Sequence, residues 1–339
     1  MPYPVDTLET LLAKEYPEVF RLLLKDHTTS ENIIWATDSY AHLGDGYGFH
    51  DQITVDKITG EEREGVIKPR SRKLKEEQTA RTKDKAEVFT PSWVCNLQNN
   101  LIDDAWFGRT GVFNTVTEDG RKWTPTEGRI AFPEGKTWKD YLRDTRLEIT
   151  CGEAPYLVSR YDTVTGDEIP LRERIGMLDR KLRVVSENAR SSTEWLKAAR
   201  TAFQNLLGFE WQGDNLLLAR EALFISFLEY YEEKFGRAPS RRSCRSVAYV
   251  ISWNLFQMDG LRGVIPGSCH PVEVEGFFGN KTENPCPGCA SADLLNKDHN
   301  GTRCKIRDWG RKDPKTGENN RPTDFIDLFP KELFKPKLR

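Results

Sequence analysis

No stretch of the 339-residue chain approaches the roughly 18 uncharged apolar residues that a membrane-spanning helix needs, so no membrane span is expected. Charge of one sign is also lacking. Fifty Lys and Arg stand against 52 Asp and Glu, a net charge of -2, so a polyanion must be held by a local basic face rather than by the whole field. The seven cysteines, at 95, 151, 244, 269, 286, 289 and 304, are odd in number, which argues against a closed disulfide framework. The opening MPYPVDTLETLLAKEYPEVFRLLLKD is broken by charges and has no apolar core or cleavage site of a secretion signal, so a cytoplasmic, bacterial-type setting is expected. Internal repeats are absent. What is present is apolar bulk: 37% hydrophobic residues, with 17 Phe, 10 Tyr and 9 Trp, supply a real core and place the chain outside the disordered class.

Asp6 followed by Glu9 reads as a capping box, and Leu8, Leu11, Leu12, Val19, Leu22 and Leu23 keep helical spacing, so the chain is expected to begin with one or two helices. The run from Ile53 to Val66 alternates β-branched residues, with Gly60 and Gly65 as turns, and reads as a short hairpin. Between Lys68 and Lys85 eight basic residues face three acids: a solvated helix, or a phosphate-contacting face led by Arg70, Arg72 and Lys73. Pro91 and the Val94, Leu97, Leu101 spacing signal the next helix. Strands are expected at Arg146 to Thr150, Leu206 to Glu210 and before Met258. Helices from Ser192, from Asp214 to Phe235 and from Arg242 alternate with them, the pattern of a parallel sheet.

In an open parallel sheet ligands sit beyond the carboxyl ends of the strands. There Glu148 and Gly152 follow the first strand, Glu210 ends the second and Asp259 follows the third. A glycine permits close approach, a strand-end acid suits ribose hydroxyls, and a further acid can accept an exocyclic amine, so the set suits a nucleoside cofactor. Taken in order, RTKDKAEVFTPSWVCNLQNNLID, LEITCGEAPYL, GFEWQGDNLLLAREAL and ISWNLFQMDGL resemble the amino-terminal half of the adenine-N6 DNA methyltransferases of restriction-modification systems. The resemblance covers roughly residues 81 to 262. It implies an α/β, class I methyltransferase-like (Rossmann-like) sheet with helices on both faces and S-adenosylmethionine as cofactor. Phe89, Thr90 and Pro91 stand at the family's Phe-Thr-Pro element, and Glu148, Gly152 and Ala154 at its acid and two glycines, Ala154 replacing the second glycine. Glu210 stands at the ribose acid and Asp259, with Asn254 before it, at the adenine-contacting element.

The family grips an extruded adenine with an Asn-Pro-Pro-aromatic loop, and no such tetrapeptide occurs here. Asn284 and Pro285 are the nearest substitute for the catalytic loop. Cys286 has another reading: Cys286, Cys289, His299 and Cys304 form a thiolate and imidazole set that zinc prefers, with Cys269 and His270 as alternative ligands. Beyond it, Arg303 and Arg307 lie in a basic strand with an aromatic, a second candidate DNA surface. The organisation is then residues 1–85 as a helical and hairpin extension with the basic segment, 86–262 as the cofactor-binding core, and 263–339 as a zinc-stabilised Cys/His tail. Double-stranded DNA is the expected partner, with a restriction or specificity subunit beside it. Two alternatives stand against an active methyltransferase: a non-catalytic modification subunit that needs a partner chain, and a zinc-stabilised DNA-binding protein that lost the cofactor.

Overall fold

The computed structural model describes residues 8–85, 90–275, 281–293, 295–310 and 322–329. Two short helices come first, α1 (Leu8–Glu15) and α2 (Pro17–Leu24); in α2 Val19, Phe20, Leu23 and Leu24 fall on one buried stripe, as a period of 3.6 requires. The expected cap Asp6 lies outside the described residues. The stretch read as a hairpin is instead a turn of helix, α3 (Val55–Ile58), followed by turns. Ile53 N–H instead donates to the Ile33 carbonyl at 2.9 Å, beside an antiparallel bridge of Gln52 with Ile34, so this extended stretch pairs with the amino-terminal segment rather than with the residues after Gly60.

The basic segment forms α4 (Lys75–Lys85), and the Pro91 signal opens α5 (Ser92–Phe107), which Gly108 ends in the left-handed conformation. A small antiparallel pair, β1 (Asn114–Val116) with β2 (Trp123–Pro125), and α6 (Trp138–Arg143) lead to β3 (Arg146–Glu148). After α7 (Met177–Asn188) and α8 (Ser192–Gln204), capped by Ser191, come β4 (Leu206–Glu210), α9 (Gly213–Phe235), α10 (Arg241–Asn254) and β5 (Leu255–Gln257). The three strands form one parallel sheet in the order β3-β4-β5, with Leu147 opposite Leu207 and Phe209 opposite Phe256.

This order explains a departure from the expected helices on both faces. Right-handed crossovers that always advance in one direction deposit their helices on one side; covering both faces requires the strand order to reverse. Accordingly the crossover helices α8, α9 and α10 pack on the face carrying Leu206 and Leu255, and α7 and the amino-terminal α2 pack on those helices. Helix α9 is buried round its circumference from Gly213 to Leu228, so its pattern shows no single apolar stripe. The opposite face, with Leu207, Phe209 and Phe256, is covered by Ile265, Cys304, Ile306, Phe325 and Phe329. These come from the tail, which adds β6 (Val272–Glu275) with β7 (Lys281–Asn284) and β8 (Lys305–Arg307) with β9 (Pro322–Asp324), each an antiparallel pair.

The main core draws on both sides of the boundary expected at residue 85: Leu12, Phe20, Trp35 and Ile53 belong to the same cluster as Leu216 and Phe224. Close contact enforces the union. A Cβ on Gly213 would lie 2.0 Å from the Ile34 carbonyl oxygen, so only glycine fits where the amino-terminal segment crosses the start of α9.

Candidate cofactor edge and metal centre

The turn after β3 holds three residues in the left-handed region, Thr150 (φ 47°), Gly152 (φ 53°) and Ala154 (φ 61°). Ala154 thus adopts the conformation that a glycine serves without a Cβ penalty. The turn is bound to the next strand: Gly152 N–H donates to Glu210 Oε2 at 2.8 Å, and Gln212 N–H to Glu210 Oε1 at 3.2 Å. Burial pushes the Glu210 carboxyl up to about 7, against the pull of those backbone donors. Glu148 accepts the N–H groups of Tyr156 (3.4 Å) and Leu157 (3.1 Å), and burial raises it well above the usual range. Asp259 closes its own turn, accepting from Leu261 and Arg262 N–H at 3.0 and 3.2 Å and from Arg262 Nη1 at 2.8 Å.

The sheet therefore carries Glu148, Gly152, Ala154, Glu210 and Asp259 at or beyond the carboxyl ends of its strands, with each carboxylate shaping a loop. Phe89 lies outside the described residues. Pro91 caps α5, and the Thr90 carbonyl accepts from Thr163 Oγ1 at 3.2 Å.

The basic segment is only partly a surface. Lys73 is buried, 3.4 Å from Asp214, with Arg81 at 2.8 Å and the Tyr40 hydroxyl at 2.8 Å on the same oxygen. Burial raises the Asp214 carboxyl, but Arg81 and Lys73 outweigh it and hold it at about 2. The expected phosphate contact at Lys73 is thus corrected, since its ammonium is committed to a buried ion pair. Arg70 is half-buried: its N–H donates to Glu153 Oε1 at 2.6 Å and its Nη2 to Thr82 at 3.2 Å. Arg72 is exposed. In the second candidate surface, Arg303 donates to the Lys297 carbonyl at 2.6 Å. Arg307 lies 5.3–5.5 Å from the ring centroids of Tyr249, Trp253 and Trp309, so its guanidinium is set among aromatic rings. The Asp214 group escaped the sequence reading, because Lys73 lies 141 residues before its partner and no local pattern joins them.

The tail gathers Cys269, Cys286, Cys289 and His299, whose ligand atoms all lie within 4.8 Å of one another, a group that can hold a metal ion. His299 Nδ1 is 3.5 Å from Cys269 Sγ, 3.7 Å from Cys286 Sγ and 3.6 Å from Cys289 Sγ. Gly288 makes the knuckle, for a Cβ there would lie 2.6 Å from the His299 ring. Burial opposes ionisation of Cys286, but the N–H groups of Asn300, Cys289 and Gly288 together with His299 bring its thiol down to about 6.

Cys304, expected as the fourth ligand, stands elsewhere: it is fully buried under the sheet and donates to the Gln257 carbonyl at 3.3 Å. Its alternation with Ile306, between exposed Lys305 and half-buried Arg307, was the signal for a core position. Asn284 ends the exposed strand β7 opposite Val272, and Pro285 joins that strand directly to Cys286. No protein-family model, curated protein or solved structure matches the chain.

Proposed function

We propose that this chain is an S-adenosylmethionine-dependent DNA adenine-N6 methyltransferase of a restriction-modification or phage-defence system, with a structural zinc in its tail. The observation that carries the reading is the left-handed turn at Thr150, Gly152 and Ala154, joined through Gly152 N–H to Glu210. It supports the glycine-type geometry in a sequence where alanine replaces the second glycine, and it sets a carboxylate beside backbone that a nucleoside can approach closely. In this reading Glu210 accepts the ribose hydroxyls, Asp259 the exocyclic amine of the cofactor's adenine, and Glu148 holds the turn. The cofactor, when bound, supplies an activated methyl on a sulfonium; the protein's part is orientation and exclusion of water. The order of the strands, with both crossovers on one face, supports half of a doubly wound sheet.

Zinc is the metal the donors favour. Bond lengths of about 2.3 Å to sulfur and 2.0–2.1 Å to nitrogen give tetrahedral S···N edges of about 3.5–3.6 Å. The three distances to His299 Nδ1, 3.5, 3.6 and 3.7 Å, fit that figure. Four protein ligands close the shell, which suits a structural ion.

A second reading, a non-catalytic modification subunit whose partner chain supplies the base-gripping loop, is favoured by one observation. Asn284 and Pro285 lead straight into a metal-ligand position rather than standing in a loop of their own. Calorimetric titration with S-adenosylmethionine, followed by methyl transfer to unmethylated duplex DNA, separates the readings. Loss of the charged acceptor in Glu210→Ala is worth ~1.5–3 kcal/mol, so at least tenfold weaker cofactor binding is expected. Binding without transfer selects the subunit reading; no cofactor binding by the unaltered protein overturns the methyltransferase reading.

A further inference from the structure

The carboxyl ends of β3 and β4 are enclosed by a ring of hydrogen bonds that leaves the sheet and returns to it through the basic segment. It starts at Glu210, which takes Gly152 N–H on Oε2 and Gln212 N–H on Oε1. The Gln212 side chain is buried, and its Oε1 accepts from Arg81 Nη2 at 2.7 Å. The same nitrogen lies 2.8 Å from Asp214 Oδ2. From Arg81 the ring runs through α4, where Gln78 Nε2 donates to the Arg70 and Lys73 carbonyls at 2.9 and 2.8 Å, and Arg70 Nη2 to Thr82 Oγ1 at 3.2 Å. It closes at Glu153, beside Gly152, whose Oε1 accepts Arg70 N–H and whose Oε2 accepts the Tyr161 hydroxyl, both at 2.6 Å.

Helix α4 has Ala80 as its one apolar residue, and none of its described residues joins the apolar core, so no apolar stripe holds it on the sheet. Yet Arg81 is only 2% exposed. A buried ion pair is seldom more stabilising than an apolar contact of the same volume; what a guanidinium adds is a planar fork of donors with fixed directions. Two acceptors of one loop meet that fork, and the loop is the one that follows Glu210.

We infer that Arg81 is a positioning residue of the sheet edge: by gripping Gln212 and Asp214 from α4, it fixes the loop after β4 and with it the carboxylate of Glu210. The inference deepens the proposed cofactor site and rests on that reading only for the identity of the ligand.

Arg81→Lys keeps a cation beside Asp214 and removes the fork, so it separates charge from geometry; Arg81→Gln removes both. Hydrogen exchange on the full chain without ligand reads the loop directly, and calorimetric titration with S-adenosylmethionine reads the consequence. In Arg81→Lys the amides of residues 211–213 and 150–154 should exchange roughly tenfold faster, those of α9 beyond Leu216 should be unaltered, and S-adenosylmethionine should bind roughly tenfold more weakly. Arg81→Gln should show the same losses with a lowered melting temperature besides. Unchanged exchange at 211–213 and 150–154 in Arg81→Lys overturns the positioning role. Exchange that quickens along the whole of α9 also overturns it, because Arg81 is then an anchor of the fold at large. Faster loop exchange beside unaltered cofactor affinity overturns the service of that loop to the ligand. If the unaltered protein binds no S-adenosylmethionine, the cofactor reading fails, while the exchange comparison still decides the role of Arg81.

Discussion

The sheet edge and the metal centre each assemble charged groups from distant parts of the chain, but by opposite means. At the edge, Glu148, Glu210 and Asp259 are satisfied by backbone N–H groups of adjoining turns, so the geometry persists on the strength of the fold alone. At the centre, three sulfurs and an imidazole crowd together with each other as principal neighbours, and the surrounding chain is loop and exposed hairpin. Burial organises the first. At the second, a bound cation would add the tie that joins the sulfurs and the imidazole to one another.

The largest expected effect tests that difference. Cys269→Ser or Cys289→Ser should abolish stoichiometric metal and loosen residues 266–304, since a structural zinc contributes on the order of 10 kcal/mol to its module. Cys304→Ser should keep one metal per chain, because Cys304 donates to Gln257 in the core. Elemental analysis of the three variants decides it; metal retained in Cys269→Ser and lost in Cys304→Ser would restore the ligand set that the spacing suggests.

A smaller effect probes the edge. Asp214→Ala leaves Lys73 and Arg81 buried without their counter-ion, a loss of about 3–5 kcal/mol measurable by urea unfolding. Its pH dependence has a definite sign. A carboxyl lowered from 3.8 to about 2 stabilises the protein above the usual carboxylate range. That contribution, roughly 2 kcal/mol, is lost as pH falls through the folded value, and Asp214→Ala should lack this acid limb. Glu210 acts in the opposite sense: raised from 4.5 to about 7, it favours folding at low pH, and that contribution is lost as pH rises through the higher value.

The smallest effect concerns Thr150, exposed and β-branched at φ 47°. Relief of left-handed strain, less the entropy of glycine, should make Thr150→Gly more stable by about 0.5–1 kcal/mol, read as a raised melting temperature. A lowered melting temperature would mean that the side chain has work at the edge that its conformation does not reveal.

Local signals carried the strands and most helices. The short apolar run Leu206 to Phe209 marks β4, Pro91 marks the start of α5, and the helix expected from Asp214 to Phe235 is α9 within a residue. What escaped was decided at long range. Ile53 looked like half of a hairpin because its partner, Ile33, lies 20 residues upstream. Lys73 looked like surface because Asp214 is 141 residues away. The Cys286, Cys289 and His299 spacing was legible, but the choice between Cys269 and Cys304 turned on which sulfur the sheet buries, which the knuckle spacing does not contain and only the alternation of Cys304 with Ile306 hinted at.

The crossing at Gly213 bears on when the molecule can close. Ile34 donates to and accepts from the Gln257 side chain, 223 residues later, and the Leu23 carbonyl accepts from Arg220. Thr28 Oγ1 accepts from Lys305 N–H, 277 residues on. Loop closure must come before these contacts can be made, and chains dominated by such separations fold slowly. Phe20, Leu23 and Ile33 are therefore fully packed only once the chain as far as β5 has come together, which leaves these apolar positions uncovered in any partly folded form.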